Sequence, residues 1–545
     1  MRSGTVWQKL AIILVYLFAM LLFGIIFRKR AKKDRVEFYL AGRSISKTLL
    51  FFTMAATNFS AFTIFGLSGA GFRIGYSFYP IMGFGTGFMA LSFYIIGGKI
   101  LLLSKSRGYI TPSDYIADRY CSVFLKRLFS LVMVLFTLPY IAIQAIASGK
   151  SLQSLVGIPY LSGVALITIF IVTYVSLGGL RSIVWTDLVQ GIMMVTFTMV
   201  SFTLIARGNG GFVATHLEIQ NRFSEIFSRP GMGAAMPPGV WLGYMLLWFF
   251  ADPMFPQLFQ RFMVAKDEST LKSTVVIYPI ITTFLFFLTV SIGVMGRGSF
   301  PELEAGASDS IFALLLSRYA GGLLSTVLLT GSIAALMSTM DSQLLTLTSM
   351  ITNDFLRPAS KGVLVEKITI IVLGVLGFLI AIRPPGTILD FISQTTFNGL
   401  AVLAPAVLGG LYWKKANRYG AAASIIAGET MVVLYYRGLV STPSIHPIIT
   451  ILAITGAVFI AVSIFTRSDH DNSEIVFKVN PKALMWAPLF ILLFILGNDF
   501  WAWGKSPTIL MGLPLWVWYY IVLGVVLSVS YKLFFVSVGR TGMEA

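Results

Sequence analysis

The stretch Gly331-Ser-Ile-Ala-Ala-Leu-Met-Ser-Thr-Met-Asp341-Ser-Gln-Leu-Leu345 lies inside an apolar run long enough to cross a bilayer as one helix. Ala335, Ser338, Thr339 and Ser342 recur at i, i+3, i+4 and i+7, so small and hydroxyl side chains share one helix face. A lipid-facing helix gains nothing from such a stripe. Either a neighbouring helix packs closely against it, or it presents oxygen atoms to a cation, or both.

The rest of the chain has the same character. Of 545 residues, 56% are hydrophobic and 12% charged, and the mean hydropathy is +0.83. Soluble domains carry about 25% charged residues, so the composition is that of an all-α polytopic membrane protein. Hydropathic runs recur from Trp7 to Phe535 and divide into about 15 spans. The first, residues 10–27, lacks a small-residue cleavage site and reads as a retained helix.

The net charge of +18 is topological rather than a sign of nucleic-acid binding. Arg28-Lys-Arg-Ala-Lys-Lys-Asp-Arg35 and the basic stretches 105–127, 261–272, 357–367, 413–418 and 478–482, with Arg181, follow odd-numbered spans; the alternate connections 208–238 and 299–310 are poor in Lys and Arg. This positive-inside pattern predicts a multi-pass cell-membrane protein with its N-terminus outside and its C-terminus cytoplasmic. One cysteine, Cys121, and three scattered histidines speak against disulfide frameworks and Cys/His metal centres. There is no phosphate loop, GxSxG elbow or HExxH, so neither ATP-driven transport nor an enzyme is expected.

Two spans look interrupted. The second carries small and polar residues from Ala55 through Gly69 in mid-membrane, and the seventh, 240–262, is broken by Phe249-Phe-Ala-Asp-Pro-Met-Phe-Pro256. They lie five spans apart and so point in opposite directions, as two inverted five-helix repeats require. Paired broken helices mark a transporter's central site, because unwound backbone must be satisfied by protein, water or ions. Thr111 and Pro112 predict a short cytoplasmic helix, and 215–228 an outside interfacial one.

Four segments together resemble the sodium/solute symporter family: Glu37-Phe-Tyr-Leu-Ala-Gly-Arg-Ser44, the small-residue run 55–69, Gly178-Gly-Leu-Arg-Ser-Ile-Val-Trp-Thr-Asp-Leu-Val-Gln-Gly191 and Ala334-Ala-Leu-Met-Ser-Thr-Met-Asp-Ser-Gln-Leu-Leu345. The resemblance implies a leucine-transporter-type fold, ten core helices in two inverted repeats with extra peripheral helices. The expected divisions are an extra helix and basic loop (1–35), the first repeat (36–206), an external loop (207–237), the second repeat (238–413) and peripheral helices (414–545). It further implies a sodium ion held by the carbonyls of Ala56, Phe59 and Ala335 with the hydroxyls of Ser338 and Thr339. Asp187 with Ser342 and Asp341 forms a candidate second ion site. Asp341 stands where relatives with that site have a hydroxyl, and a salt bridge from Asp187 to Arg181 or Arg43 is the alternative use of Asp187.

Solute-binding candidates are Asn58, Ser60, Thr63, Gln144, Trp248, Asp252, Gln394 and Asn398, with Tyr76, Tyr79, Tyr140 and Phe249 as gates or walls. The relatives usually lack an acid at position 252; a cationic group, a proton or hydrogen bonding at the Pro253 break are its three readings. The expected activity is sodium-coupled import of a small organic solute by alternating access. Pro139-Tyr-Ile-Ala-Ile-Gln144 leans toward a carboxylate-bearing solute such as a monocarboxylate or pantothenate. The alternatives are a proton-coupled carrier on the same fold, or a sodium-coupled amino-acid or sugar symporter. The expected partners are the solute, sodium and the bilayer, with no nucleic acid, and a monomer is sufficient. A solute sensor is disfavoured by the short stretch after the last span, which carries no signalling domain.

Overall fold

The structure, a computed structural model, describes residues 3–28, 35–356, 364–384, 387–391, 393, 396–466 and 473–539. Among these, ten helices are long and apolar enough to cross a membrane, or eleven with the bent pair Lys47–Asn58 and Phe62–Phe78. The count of about fifteen expected from sequence divides the chain more finely, taking four further helical segments as spans. Tyr160–Gly208 is two spans joined at Gly179, whose φ of 68° and ψ of −179° interrupt the helix. The others are the broken helix of Pro238–Ala251 and Pro256–Val264, the interrupted helix ending in Ala404–Tyr412, and Arg418–Tyr436.

Burial sorts these helices into core and periphery. The most apolar stretch of Leu324–Leu356 is 89% buried, whereas that of the N-terminal helix Val6–Phe27 is 28% buried. The helix with the small and hydroxyl stripe is therefore the innermost, and the most uniformly apolar one faces outward. Such an inversion is expected where lipid is the solvent. After the core, Arg418–Tyr436, Pro447–Phe465, a helical segment through Ala487–Leu496, and Leu515–Val538 form the outer layer.

Both interrupted spans break where the sequence suggests. The first core helix stops at Asn58, and the Phe59 N–H closes the ladder on the Ala55 carbonyl at 2.7 Å. The chain resumes as a helix bent by 59°. In the sixth core helix Asp252–Met254 forms one tight turn, and Phe255 is extended before Pro256 opens a new helix. Pro256 cannot supply an N–H to continue the earlier ladder. The entry to the first broken helix meets the exit of the second through Ile45 N–H to the Val264 carbonyl (3.2 Å) and Lys266 N–H to the Ile45 carbonyl (3.0 Å). Their starts thus lie at opposite ends, as inverted repeats require.

Close packing fixes the second half of the first core helix. A Cβ on Gly71 would lie 2.3 Å from the Val290 carbonyl oxygen, and one on Gly293 would lie 2.0 Å from that of Ser68. Leu67–Ile74 and Glu268–Ser299 therefore touch backbone to backbone. The short helix Pro112–Tyr120 is capped as expected, with Asp114 accepting the Thr111 N–H at 2.9 Å. The expected interfacial helix is Phe212–Arg222, beginning three residues earlier than predicted and followed by the turn Ser224–Phe227.

Candidate functional site

The stripe of the eighth core helix, Leu324–Met350, faces the first break. Thr339 Oγ1 lies 3.1 Å from the Thr57 carbonyl oxygen, 3.2 Å from that of Ala335 and 3.5 Å from that of Ala56. One hydroxyl proton cannot serve three carbonyls well, so the cluster is rich in acceptor oxygen. Ser338 Oγ is buried beside the Asp187 carboxylate and makes no well-formed hydrogen bond. Ala56, Phe59, Ala335, Ser338 and Thr339 are all buried. Three of the expected five donors thus converge directly, and Phe59 is the residue at which the helix opens.

One turn further along the stripe, Ser342 Oγ lies 3.1 Å from Thr57 Oγ1 and accepts from Arg261 Nη2 at 2.6 Å. Arg261 also donates from Nε to Thr53 Oγ1 at 2.9 Å and lies 3.6 Å from Asp187 Oδ2. Thr53 in turn donates to Asp187 Oδ2 at 2.5 Å. Asp341 joins this group, fully buried, with neither carboxylate oxygen in a well-formed hydrogen bond. Two acids and one arginine are therefore enclosed together.

This corrects the expected partner of Asp187. Arg181 pairs with Glu37 at 2.6 Å, and Arg43 donates to the Tyr109 carbonyl at 2.7 Å. Charge patterning alone places Arg261 among the cytoplasmic basic residues. The helix that begins at Pro256 instead carries it inward, with its side chain 0% exposed.

The two breaks touch at the centre. Asn58 Nδ2 donates to Asp252 Oδ2 at 3.2 Å and to the Tyr278 hydroxyl at 2.6 Å. Gln144 Oε1 accepts the Ala61 N–H at 3.0 Å, and Tyr140 donates to Ser60 Oγ at 3.1 Å. Both bonds satisfy groups exposed by the break. Trp248 stacks on Phe62 with ring centroids 5.5 Å apart and meets Phe397 at 4.8 Å. Asn58, Ser60, Gln144, Tyr140, Trp248 and Asp252 thus surround one region. Tyr278 belongs with them, although nothing in its apolar surroundings distinguishes it in sequence. Thr63 is buried in the turn just beyond, its N–H on the Ser60 carbonyl. Asn398 is buried on the tenth core helix. Gln394, with Thr395, lies outside the described residues.

Three aromatic candidates lie elsewhere. Phe249 meets Phe88 at 5.9 Å and lines a peripheral groove with Phe490 and Phe494, so it is no part of the central region. An apolar ring on a membrane helix carries no sequence mark of which side it faces. Tyr76 bonds to His216 Nε2 at 2.7 Å and to Ser291 Oγ at 2.9 Å, beyond the outer half of the first core helix. Tyr79 reaches the Thr283 carbonyl at 3.3 Å. His216, on the loop helix, has its pKa pushed down to about 4 by burial. It is a neutral ring accepting at Nε2 and donating from Nδ1 to the Phe212 carbonyl.

Known proteins match this architecture. The model of the sodium:solute symporter family matches residues 38–428. The sodium/pantothenate symporter of Escherichia coli (strain K12) is 27% identical over 444 residues, covering 79% of this chain and 91% of that protein. The osmoregulated proline transporter OpuE of Bacillus subtilis (strain 168) is 29% identical over 500 residues, covering 86% and 97%. The sodium/proline symporter of Staphylococcus aureus (strain JH9) is 25% identical over 449 residues, covering 79% and 86%. Among solved structures, a Na+-coupled sialic acid symporter in a substrate-bound outward-open state aligns with a TM-score of 0.69 at 20% identity, covering 84% of this chain and 97% of that one. This likeness establishes the shared fold of two inverted five-helix repeats.

Proposed function

This chain belongs to the sodium:solute symporter family, and from that premise we propose that it imports a small carboxylate-bearing organic solute, driven by sodium bound between the first and eighth core helices. One observation carries the reading: the Thr339 hydroxyl sits among the carbonyls of Ala56, Thr57 and Ala335. Sodium is a hard cation that takes several oxygen ligands. Here the proposed donors are the carbonyls of Ala56, Phe59 and Ala335 with the hydroxyls of Ser338 and Thr339. All are neutral, which keeps release possible.

Sodium would clamp the first core helix to the eighth and thereby stabilise the state that accepts solute. The Asn58–Asp252 contact gives that clamp a mechanical route to the second break. Each positive charge moving inward gains about 2.3 kcal/mol per 100 mV, and the sodium gradient adds to it. One ion therefore supports a solute gradient of tens-fold or more.

The enclosed group of Asp187, Asp341, Ser342 and Arg261 is the candidate second cation position. Its net charge of one minus, counting both acids as ionised, supports this reading. The solute region comprises Asn58, Ser60, Gln144, Tyr140, Trp248 and Asp252, with Thr63 and Asn398 at its margins and Tyr76 and Tyr79 toward the outer gate. The reading assigns carriage and no bond chemistry, to a single chain in the cell membrane with the N-terminus outside and the C-terminus cytoplasmic. Both proposed sites are built from one chain, so a monomer is sufficient.

The test is accumulation in proteoliposomes. Carboxylates, amino acids and sugars are first screened by thermal shift in sodium and in potassium. A hit is then followed as labelled solute under an inward sodium gradient. Accumulation above the external concentration that collapses when sodium is equalised is expected. Equal accumulation driven by a proton gradient alone, without sodium, would replace this reading by proton coupling.

A further inference from the structure

We propose that Asp252 binds a positively charged nitrogen on the transported solute while the Trp248 indole N–H takes the solute's anionic end, so that the solute is a zwitterion. The proposal rests on the central region being the solute site. Asp252 is 1% exposed, and among the described residues no Lys, Arg or His lies within ion-pair distance of it. Asp187, Asp354 and Asp499, three other enclosed acids, have such a partner in Arg261, Lys126 (3.1 Å) and Arg229, whereas Asp341 and Glu366 are buried with no ion pair among the described residues either. Asp252 Oδ2 receives only the Asn58 amide, and Oδ1 has no hydrogen-bond partner. A carboxylate enclosed in a membrane core without a cation is costly to keep and marks a functional position.

The surroundings of Asp252 select the kind of cation. Sodium needs several converging oxygens, which the Ala56, Thr57 and Ala335 carbonyls offer at the other position. Around Asp252 the neighbours are an amide donor and rings. Tyr140, Phe255 and Phe397 lie within 5.6 Å of one another, centroid to centroid, and Trp248 meets Phe397 at 4.8 Å. A carboxylate beside aromatic faces suits an ammonium or substituted ammonium group, which gains from both charge and ring quadrupole.

The second orphan fixes the other end of the solute. Trp248 Nε1 is buried and has no partner. Positions 248 and 252 are one helical turn apart on the same face. A lone donor and a lone anionic acceptor at that separation complement a molecule carrying a carboxylate and an ammonium group close together. This joins the Asp252 acid with the carboxylate lean of Pro139-Tyr-Ile-Ala-Ile-Gln144 in one ligand class. Amino acids, imino acids and betaines belong to it; neutral sugars and plain carboxylates do not.

The experiment uses the full chain purified in detergent with sodium. Binding is read by thermal shift and by tryptophan fluorescence for the twenty proteinogenic amino acids, glycine betaine and matched controls. For L-proline the controls are cyclopentanecarboxylate and pyrrolidine; for L-valine, isovalerate and isobutylamine. A zwitterion is expected to bind about 100-fold more tightly than its des-amino partner, the scale for losing one buried charge contact. Asp252→Asn should erase that preference while leaving sodium-induced stabilisation intact, which separates loss of solute contact from failure of the sodium reading. Asp252→Glu keeps the charge and should retain binding to within about tenfold, and Trp248→Phe should weaken the zwitterion while sparing the descarboxyl amine. The proposal is overturned if no zwitterion binds, if a des-amino carboxylate binds as tightly, or if Asp252→Asn keeps full affinity and alters only the pH dependence of uptake.

Discussion

Replacing Arg261 by Met should destabilise the protein by about 3–5 kcal/mol, the range for leaving a buried charge without its partner. The guanidinium is fully enclosed, 3.6 Å from Asp187 Oδ2, and donates to Thr53 and Ser342. The hydroxyl bonds are the smaller part. Thr53 keeps its bond to Asp187, and Ser342 keeps Thr57 as a neighbour. What remains unbalanced is two carboxylates, Asp187 and Asp341, in one dry region. Removing one of them should therefore recover stability. The double variant Arg261→Met with Asp187→Asn should lie at least about 2 kcal/mol above Arg261→Met alone, a coupling expected of residues in one network. Adding Asp341→Ser should recover more. The assay is equilibrium unfolding by sodium dodecyl sulfate in mixed micelles, at fixed sodium. If Arg261→Met costs less than about 1 kcal/mol, or if the two substitutions add without coupling, Arg261 does not balance these acids.

Other expectations follow from single contacts. Gly293→Ala puts a methyl against the Ser68 carbonyl, where a Cβ would lie 2.0 Å away; overpacking of this kind costs about 1–3 kcal/mol or more, visible as a lowered unfolding midpoint. Gly179→Ala forces a side chain into a backbone of φ 68° and ψ −179° and against Phe38, and a loss of about 1–3 kcal/mol is expected from that essentially glycine-only conformation alone. His216 titrates near 4 in the fold and near 6.5 when unfolded, so unfolding takes up a proton between those values. Its contribution, about 3–4 kcal/mol at most, is present above pH 6.5 and lost as pH falls toward 4. Thermal unfolding followed from pH 7 to 4.5 should flatten in His216→Gln; an unchanged slope would assign the acid sensitivity to other groups.

Much of the architecture was legible because membrane helices are constrained by their solvent. The stripe Ala335, Ser338, Thr339, Ser342 reads as one face from spacing alone, and the structure turns that face to the first break. The Pro253–Pro256 break is legible from missing N–H groups. The break after Asn58 contains no proline and shows only as small and polar residues in mid-span. Arg261 is illegible for a definite reason: charge counting treats an arginine at a span's end as a solvated topological marker. The helix restarting at Pro256 instead returns it to the interior. Phe249 and Tyr278 were indistinct because apolar and aromatic residues look alike on lipid-facing and buried faces. The Asn58–Asp252 contact joins residues 194 positions apart, and no local pattern carries it.

The central claim is that sodium binds between the break after Asn58 and the stripe of the eighth core helix. It is tested most directly without any solute, by thermal unfolding of the purified protein in sodium or potassium at constant ionic strength. The account predicts that sodium raises the midpoint, by a stabilisation of about 2.7 kcal/mol at a hundred times the dissociation constant. It predicts that Ser338→Ala with Thr339→Ala abolishes the rise while leaving the potassium midpoint nearly unchanged. A full sodium response in that double variant would contradict it.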